Sequence, residues 1–242
     1  MIGLEEIKRL SIKFQTNTLN IAREYVQHCF LSEFYKLKNS DRLLFKGGTA
    51  LRLIYQSPRF SEDLDFTGVN NISYFEIENL LTDTLVNSSA WGFGVELTEA
   101  KKTTGGYLAK MEFSFSGFKI LIKIEVSFRV RKQRGKGVVS RIKNEYIPYY
   151  DVCQMSLEEI INGKLAALLS RAKARDWYDL YFFLHNQMLE TKHKKSLPEI
   201  LEKLKKSKTD FKKELKIFLP QSYQMILKDF KSNLIREIEK FI

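Results

Sequence analysis

The sequence predicts an α+β fold: a mixed sheet with flanking helices over residues 1–151, then a helical bundle over residues 152–242. Three observations predict it. Apolar and polar residues alternate between Gly94 and Phe128, most clearly in "KILIKIEVSF", where Ile120, Ile122, Ile124 and Val126 share one face of a strand. Past Asp151 the pattern becomes helical nearly throughout "SLEEIINGKLAALLSRAKARDWYDLYFFLHN". No internal repeat or low-complexity linker interrupts either half.

Each element has its own signal. From Leu4 to about Leu37 apolar residues recur at helical spacing (Ile7, Leu10, Phe14, then Ile21, Tyr25, Cys29), which predicts two helices. Leu43–Phe45 reads as a short strand entering Gly47-Gly48, with Thr49 as N-cap of a helix reaching about Tyr55. Ser57-Pro58 breaks that helix, and Asp63–Phe66 is the next strand. Tyr74–Leu85 is helical; Gly94–Leu97, Ala109–Phe115 and Lys119–Phe128 are strands, the last two joined by a Ser116-Gly117 turn. Ser156 and Glu159 have the spacing of a capping box, and the chain from Ser196 onward is lysine-rich amphipathic helix.

Composition narrows the function. With 242 residues, 44% of them hydrophobic, the chain can bury one large core or two small ones. Its 40 Lys+Arg against 29 Asp+Glu give a formal charge of +11, which suits a polyanionic partner; a solubilising lysine surface is the alternative. Residues 101–150 carry twelve Lys/Arg and three Asp/Glu, and residues 191–242 carry fourteen and seven, so the remainder is net acidic. Cys29 and Cys153 lack metal-type spacing and offer no disulfide framework, so a reducing compartment is expected. Without an apolar signal core or an 18-residue apolar run, the sequence predicts a soluble, cytoplasmic protein with no membrane partner.

The acidic part contains the chemistry. Asp63 and Asp65 stand at i and i+2, so in a strand both carboxylates point to one face, where two such groups suit Mg²⁺ and, through it, triphosphate oxygens. Alone the pair is a common pattern. A short helix upstream, Gly47-Gly48 lets backbone N–H groups approach a phosphate. Glu125, on the polar face of the 119–128 strand, would be the third carboxylate; the alternative is a solvent-facing strand pair of Lys123 with Glu125. Lys164, Arg171 and Arg175 fall along one face if their helix is unbroken, forming a phosphate clamp, with Asp176 and Asp179 to orient these cations or deprotonate a substrate hydroxyl; the alternative is a solvated helical face with internal salt bridges. "RVRKQRGKGVVSR" carries six Lys/Arg and no acid, so Arg129, Arg131, Lys132, Arg134 and Lys136 are candidate RNA-backbone contacts. Tyr146, Tyr149 and Tyr150 could stack on bases or pack in the core.

The combination of "GGTALRLIYQSPRFSEDLDF", "KIEVS" and "KLAALLSRAKARDWYDL" resembles the nucleotidyltransferase superfamily of DNA polymerase β type, and within it the AbiEii/AbiGii toxin family of type IV toxin–antitoxin pairs. The resemblance implies a nucleotidyltransferase-like sheet and an Mg²⁺-dependent enzyme (Mn²⁺ as an alternative) that moves a nucleotidyl group from a nucleoside triphosphate to an acceptor hydroxyl. It implies an RNA acceptor, a tRNA 3′ end in particular, and a cognate antitoxin partner. Carried over, Gly47, Gly48 and Thr49 would cradle phosphate, Arg59 and Ser61 would complete the Arg-x-Ser-x-Asp-x-Asp signature, and Asp63 and Asp65 would hold the metal. Lys164 stands at the lysine of the helical motif, ahead of Arg171, Arg175, Asp176 and Asp179. Two other functions stay open: a non-catalytic basic nucleic-acid-binding protein on the same fold, and a nucleotidyltransferase that modifies protein hydroxyls.

Overall fold

In a computed structural model, which describes residues 1–128 and 137–242, the chain divides into two units, Met1–Ser156 and Leu157–Ile242. The division falls past the expected residue 151 because Tyr150–Gln154 is a strand of the sheet.

The first unit runs α1 (Leu4–Lys13), α2 (Thr18–Phe34), β1 (Leu43–Lys46), α3 (Gly47–Leu53), β2 (Leu64–Gly68), α4 (Tyr74–Ser89), β3 (Gly94–Thr103), β4 (Gly106–Phe115), β5 (Phe118–Ser127), β6 (Val138–Ile142) and β7 (Tyr150–Gln154). The strands form one mixed sheet in the order β3-β4-β5-β2-β1-β7-β6. β2 is antiparallel to β1 and parallel to β5, while β7 is parallel to β1. The β4–β5 turn holds Ser116 and Gly117 at φ 46 and 82, which matches the right-handed twist of a two-residue hairpin. Along β5 the expected alternation holds: Ile120, Ile122, Ile124 and Val126 are buried, while Lys123 and Glu125 lie on the opposite face.

α2 packs against α1, α4, β5 and β7. It is buried nearly all round, including Glu24, Gln27, His28 and Glu33, and buried polar groups of this kind need partners. Each has one: Glu24 takes Arg52 and Tyr146, Gln27 donates to loop carbonyls, His28 meets Tyr150, and Glu33 accepts from Trp91 Nε1 at 2.8 Å. Tyr146 and Tyr150 are therefore core residues, whereas Tyr149 is exposed.

The second unit contains α5 (Leu157–Ser170), α6 (Ala174–His185), α7 (Leu197–Lys206), α8 (Phe211–Leu215) and α9 (Phe230–Phe241), with short 3₁₀ turns between them. The single helix expected across Lys164–Arg175 is instead two. Ala172 takes φ 49, a left-handed conformation that ends α5, and the turn is tied by Trp177 Nε1 donating to the Ala172 carbonyl at 3.1 Å. Among the described residues no helix is long and apolar enough to cross a membrane.

Candidate active site

The turn between β1 and α3 and the segment leading into β2 are built around each other. α3 starts at Gly47, ahead of the expected N-cap Thr49. Gly47 has φ 81, and a Cβ there would fall on the Asp65 carboxylate; at Gly48 a Cβ would meet the Arg59 guanidinium and lie 2.9 Å from Ser61 Oγ. Only glycines permit both approaches. The register agrees, since Lys46 stands opposite Asp65 in the β1–β2 pair.

Three side chains hold the segment in front of Asp63. Thr49, fully buried, donates its hydroxyl to the Asp63 carbonyl. Gln27 Nε2 donates to the carbonyls of Ser61 and Glu62 at 3.0 and 3.2 Å. Arg52 pairs with Glu24 at 2.6 Å, donates to the Ser57 carbonyl at 3.1 Å, and stacks its guanidinium 3.9 Å from the Phe60 ring centre. Burial works against the Glu24 carboxylate, but Arg52 beside it keeps its pKa below the ordinary value. Thr49 and Arg59 thus differ from the expected phosphate contacts: Thr49 is buried in a helix-to-loop bond, and Arg59, 2% exposed, lies beneath Gly48 and donates to the Phe60 carbonyl. Sequence reasoning missed Gln27, Glu24 and Arg52, because nothing in a helical period distinguishes a buried support from a surface polar residue.

On the neighbouring strand the register sets Glu125 directly beside Asp65 and Ile124 beside Leu64. Among the described residues Asp63, Asp65 and Glu125 are not drawn together as one three-carboxylate group. Lys123 Nζ lies 2.6 Å from Glu125 Oε1 and 3.5 Å from Asp63 Oδ2. Burial lowers the Lys123 pKa, but Glu125 and Asp63 outweigh it and the net shift is upward. Among the described residues no three His, Cys, Asp or Glu side chains gather within reach of one metal ion. What remains are two aspartates, and Lys123 Nζ stands near one of them, Asp63. That set fits Mg²⁺, which commonly takes one or two carboxylates and completes its octahedron with water and substrate phosphates.

The helical unit carries a second charged cluster. Lys164 Nζ lies 2.6 Å from Asp179 Oδ2 and 3.5 Å from Asp176 Oδ1, and Arg171 grips Asp176 through Nε and Nη2 at 2.9 and 3.1 Å. Both aspartates are essentially without solvent contact. Burial would raise the Asp176 pKa, but Arg171 and Lys164 hold it below the ordinary value. Because α5 and α6 are separate helices, Arg175 does not continue a Lys164–Arg171 face; its guanidinium lies 5.9 Å from the Phe218 ring centre. Arg129, Arg131, Lys132, Arg134 and Lys136 lie outside the described residues.

The fold is shared with proteins of known structure. The chain is similar to JHP933 from Helicobacter pylori, with 23% identity, 93% of this chain and 95% of that one covered, and a TM-score of 0.60. It is similar also to MenT4, a nucleotidyltransferase toxin of Mycobacterium tuberculosis, with 14% identity, coverages of 100% and 93%, and a TM-score of 0.68. No curated protein matches the chain significantly. The family of AbiEii nucleotidyl transferase toxins, from type IV toxin–antitoxin systems, matches residues 29–240. That stretch includes the glycine turn, the aspartate pair and the buried Lys164 cluster, and the chain belongs to this family as a nucleotidyltransferase.

Proposed function

We propose that the protein transfers a nucleoside monophosphate from a nucleoside triphosphate to a hydroxyl of RNA, a tRNA 3′ end in particular, and that a cognate antitoxin restrains it. The observation that carries this reading is the approach of Asp65 to Gly47, which sets a carboxylate against a backbone turn free of side chains. Asp63 and Asp65 would hold Mg²⁺, or Mn²⁺, and the bound ion would neutralise triphosphate charge. The Gly47 and Gly48 amides receive phosphate oxygens, while Thr49, Arg59 and Ser61 fix the turn and the segment that meet there. In the transfer the acceptor oxygen bonds to the α-phosphorus as the bond to the β-phosphate bridging oxygen breaks. Pyrophosphate leaves, and the hydroxyl proton passes to a base.

Lys164 is assigned to stabilise charge in the transition state, on the strength of the family motif. Asp176, with its lowered pKa and bidentate arginine, is a weak proton acceptor, so its role is to orient Lys164 and Arg171. The basic stretch containing Arg129, Arg131, Lys132, Arg134 and Lys136 supplies sequence-neutral contacts to the acceptor backbone.

Incubation with each α-labelled nucleoside triphosphate, in the presence of total RNA and total protein, tests the reading. Label should enter small RNA with Mg²⁺ present, and Asp65→Asn should abolish it. Label in protein instead would make this a protein-modifying nucleotidyltransferase. No label in either, with RNA still bound, would leave a basic binding protein.

A further inference from the structure

The Lys123–Glu125 pair sits where a third metal-binding carboxylate was expected. Asp65 and Glu125 are register partners on parallel strands, so their side chains share one face of the sheet, and Lys123 with Asp63 shares that face one step away. Lys123 Nζ is within 2.6 Å of Glu125 and 3.5 Å of Asp63. Lys123 is about one-third exposed, so its ammonium is neither locked in the core nor loose in solvent. Glu125, half exposed, makes its close contact with this lysine and joins no three-residue group able to hold an ion among the described residues.

We propose that Lys123 is a tethered counter-cation for Asp63, that Glu125 holds Lys123 in place in the nucleotide-free protein, and that the pair keeps the divalent-cation affinity of the nucleotide-free protein low. The inference rests on the assignment of Asp63 and Asp65 as the metal-holding pair. A unit positive charge a few ångströms from a divalent ion opposes its binding by about tenfold to thirtyfold even in a high-dielectric surround. The site therefore fills weakly by itself, and a nucleoside triphosphate adds the negative charge that tips the balance.

Mn²⁺ binding to the full chain without nucleotide, followed by loss of the free-ion paramagnetic resonance signal at fixed ionic strength, tests this. Lys123→Met, with Lys123→Gln as a second neutral variant, should bind Mn²⁺ about tenfold to thirtyfold more tightly than the parent, while Lys123→Arg should stay at the parent level. Glu125→Gln should weaken binding more in the parent, where it also frees Lys123 to settle on Asp63, than in the Lys123→Met background, where only its through-space charge is lost. Unchanged or weaker binding in both neutral variants would overturn the proposal. So would an equal loss from Glu125→Gln in both backgrounds, which would make Glu125 a direct ligand. Asp65→Asn separates the two levels of inference: if it leaves Mn²⁺ binding of Lys123→Met intact, the metal assignment itself fails. If it abolishes that binding while the lysine variants behave like the parent, only the Lys123 role fails.

Discussion

At Gly47 two demands coincide, a positive φ and the presence of the Asp65 carboxylate where a side chain would start. Gly47→Ala is therefore expected to lose about 1–3 kcal/mol of stability from backbone strain alone, and to lose transfer activity more completely than that loss explains. Thermal melting beside label incorporation checks both. Gln27 is a second single-residue control: replacing it with Ala takes this donor from the part-buried Ser61 and Glu62 carbonyls, at about 1 kcal/mol for an ordinary hydrogen bond lost. His28 gives a pH signature. Burial pushes its pKa down to about 4, from an ordinary value near 6.5. The unfolded chain then binds a proton that the folded chain refuses, so stability is whole above the unfolded value and falls as pH drops from about 6.5 to 4, by roughly 3 kcal/mol. Urea unfolding at pH 7.5, 6 and 5 should show that slope in the parent and a shallower one in His28→Gln.

At the scale of elements, part of the basic charge serves helix ends. Lys203 Nζ donates to the carbonyls of Leu169 and Ser170 at 2.7 and 3.3 Å, capping α5, and Lys231 Nζ does the same for Lys205 and Ser207 at the end of α7. Terminal carbonyls carry partial negative charge, so Lys203→Met should cost about 1 kcal/mol, with no change in RNA affinity; melting and a binding isotherm separate these. Much of the element order was legible: α1, α2, α4 and β5 announce themselves by period. β6 and β7 did not, because "VVSRI" and "YDVCQ" are five residues long and do not alternate. β3 runs on to Thr103 through polar, largely exposed residues, as an edge strand can, so its second half resembled a loop. The break at Ala172 was hidden for a different reason: "SRAKARDW" contains neither Gly nor Pro. Within the candidate site, the glycine pair, the aspartate pair and a Lys123–Glu125 pair were legible from spacing, while the reach of Lys123 across to Asp63 needed the strand register.

For the whole molecule, the two charged clusters should respond differently to mutation. Asp65→Asn is expected to remove transfer and leave the melting temperature almost unchanged, since it relieves charge beside Glu125. Lys164→Met should instead remove the cation 2.6 Å from Asp179, whose side chain is wholly buried. Breaking a buried pair on one side costs about 3–5 kcal/mol, so melting and activity should fall together. Calorimetry of both variants distinguishes them. The sheet order carries a consequence for how the toxin comes into being. β1 is flanked by β2 and by β7, with Phe45 paired to Gln154, and β2 finds its parallel neighbour β5 only after α4, β3 and β4 have intervened. Such long-range closures are slow, and a chain emerging from the ribosome at about 5–20 residues per second cannot complete them early. The glycine turn and both aspartates are thus translated well before the strands that brace them exist. A nascent chain halted short of Gln154 should be degraded by protease and inert towards nucleotide, which gives translation an interval in which the toxin is present as polypeptide but not yet as an enzyme.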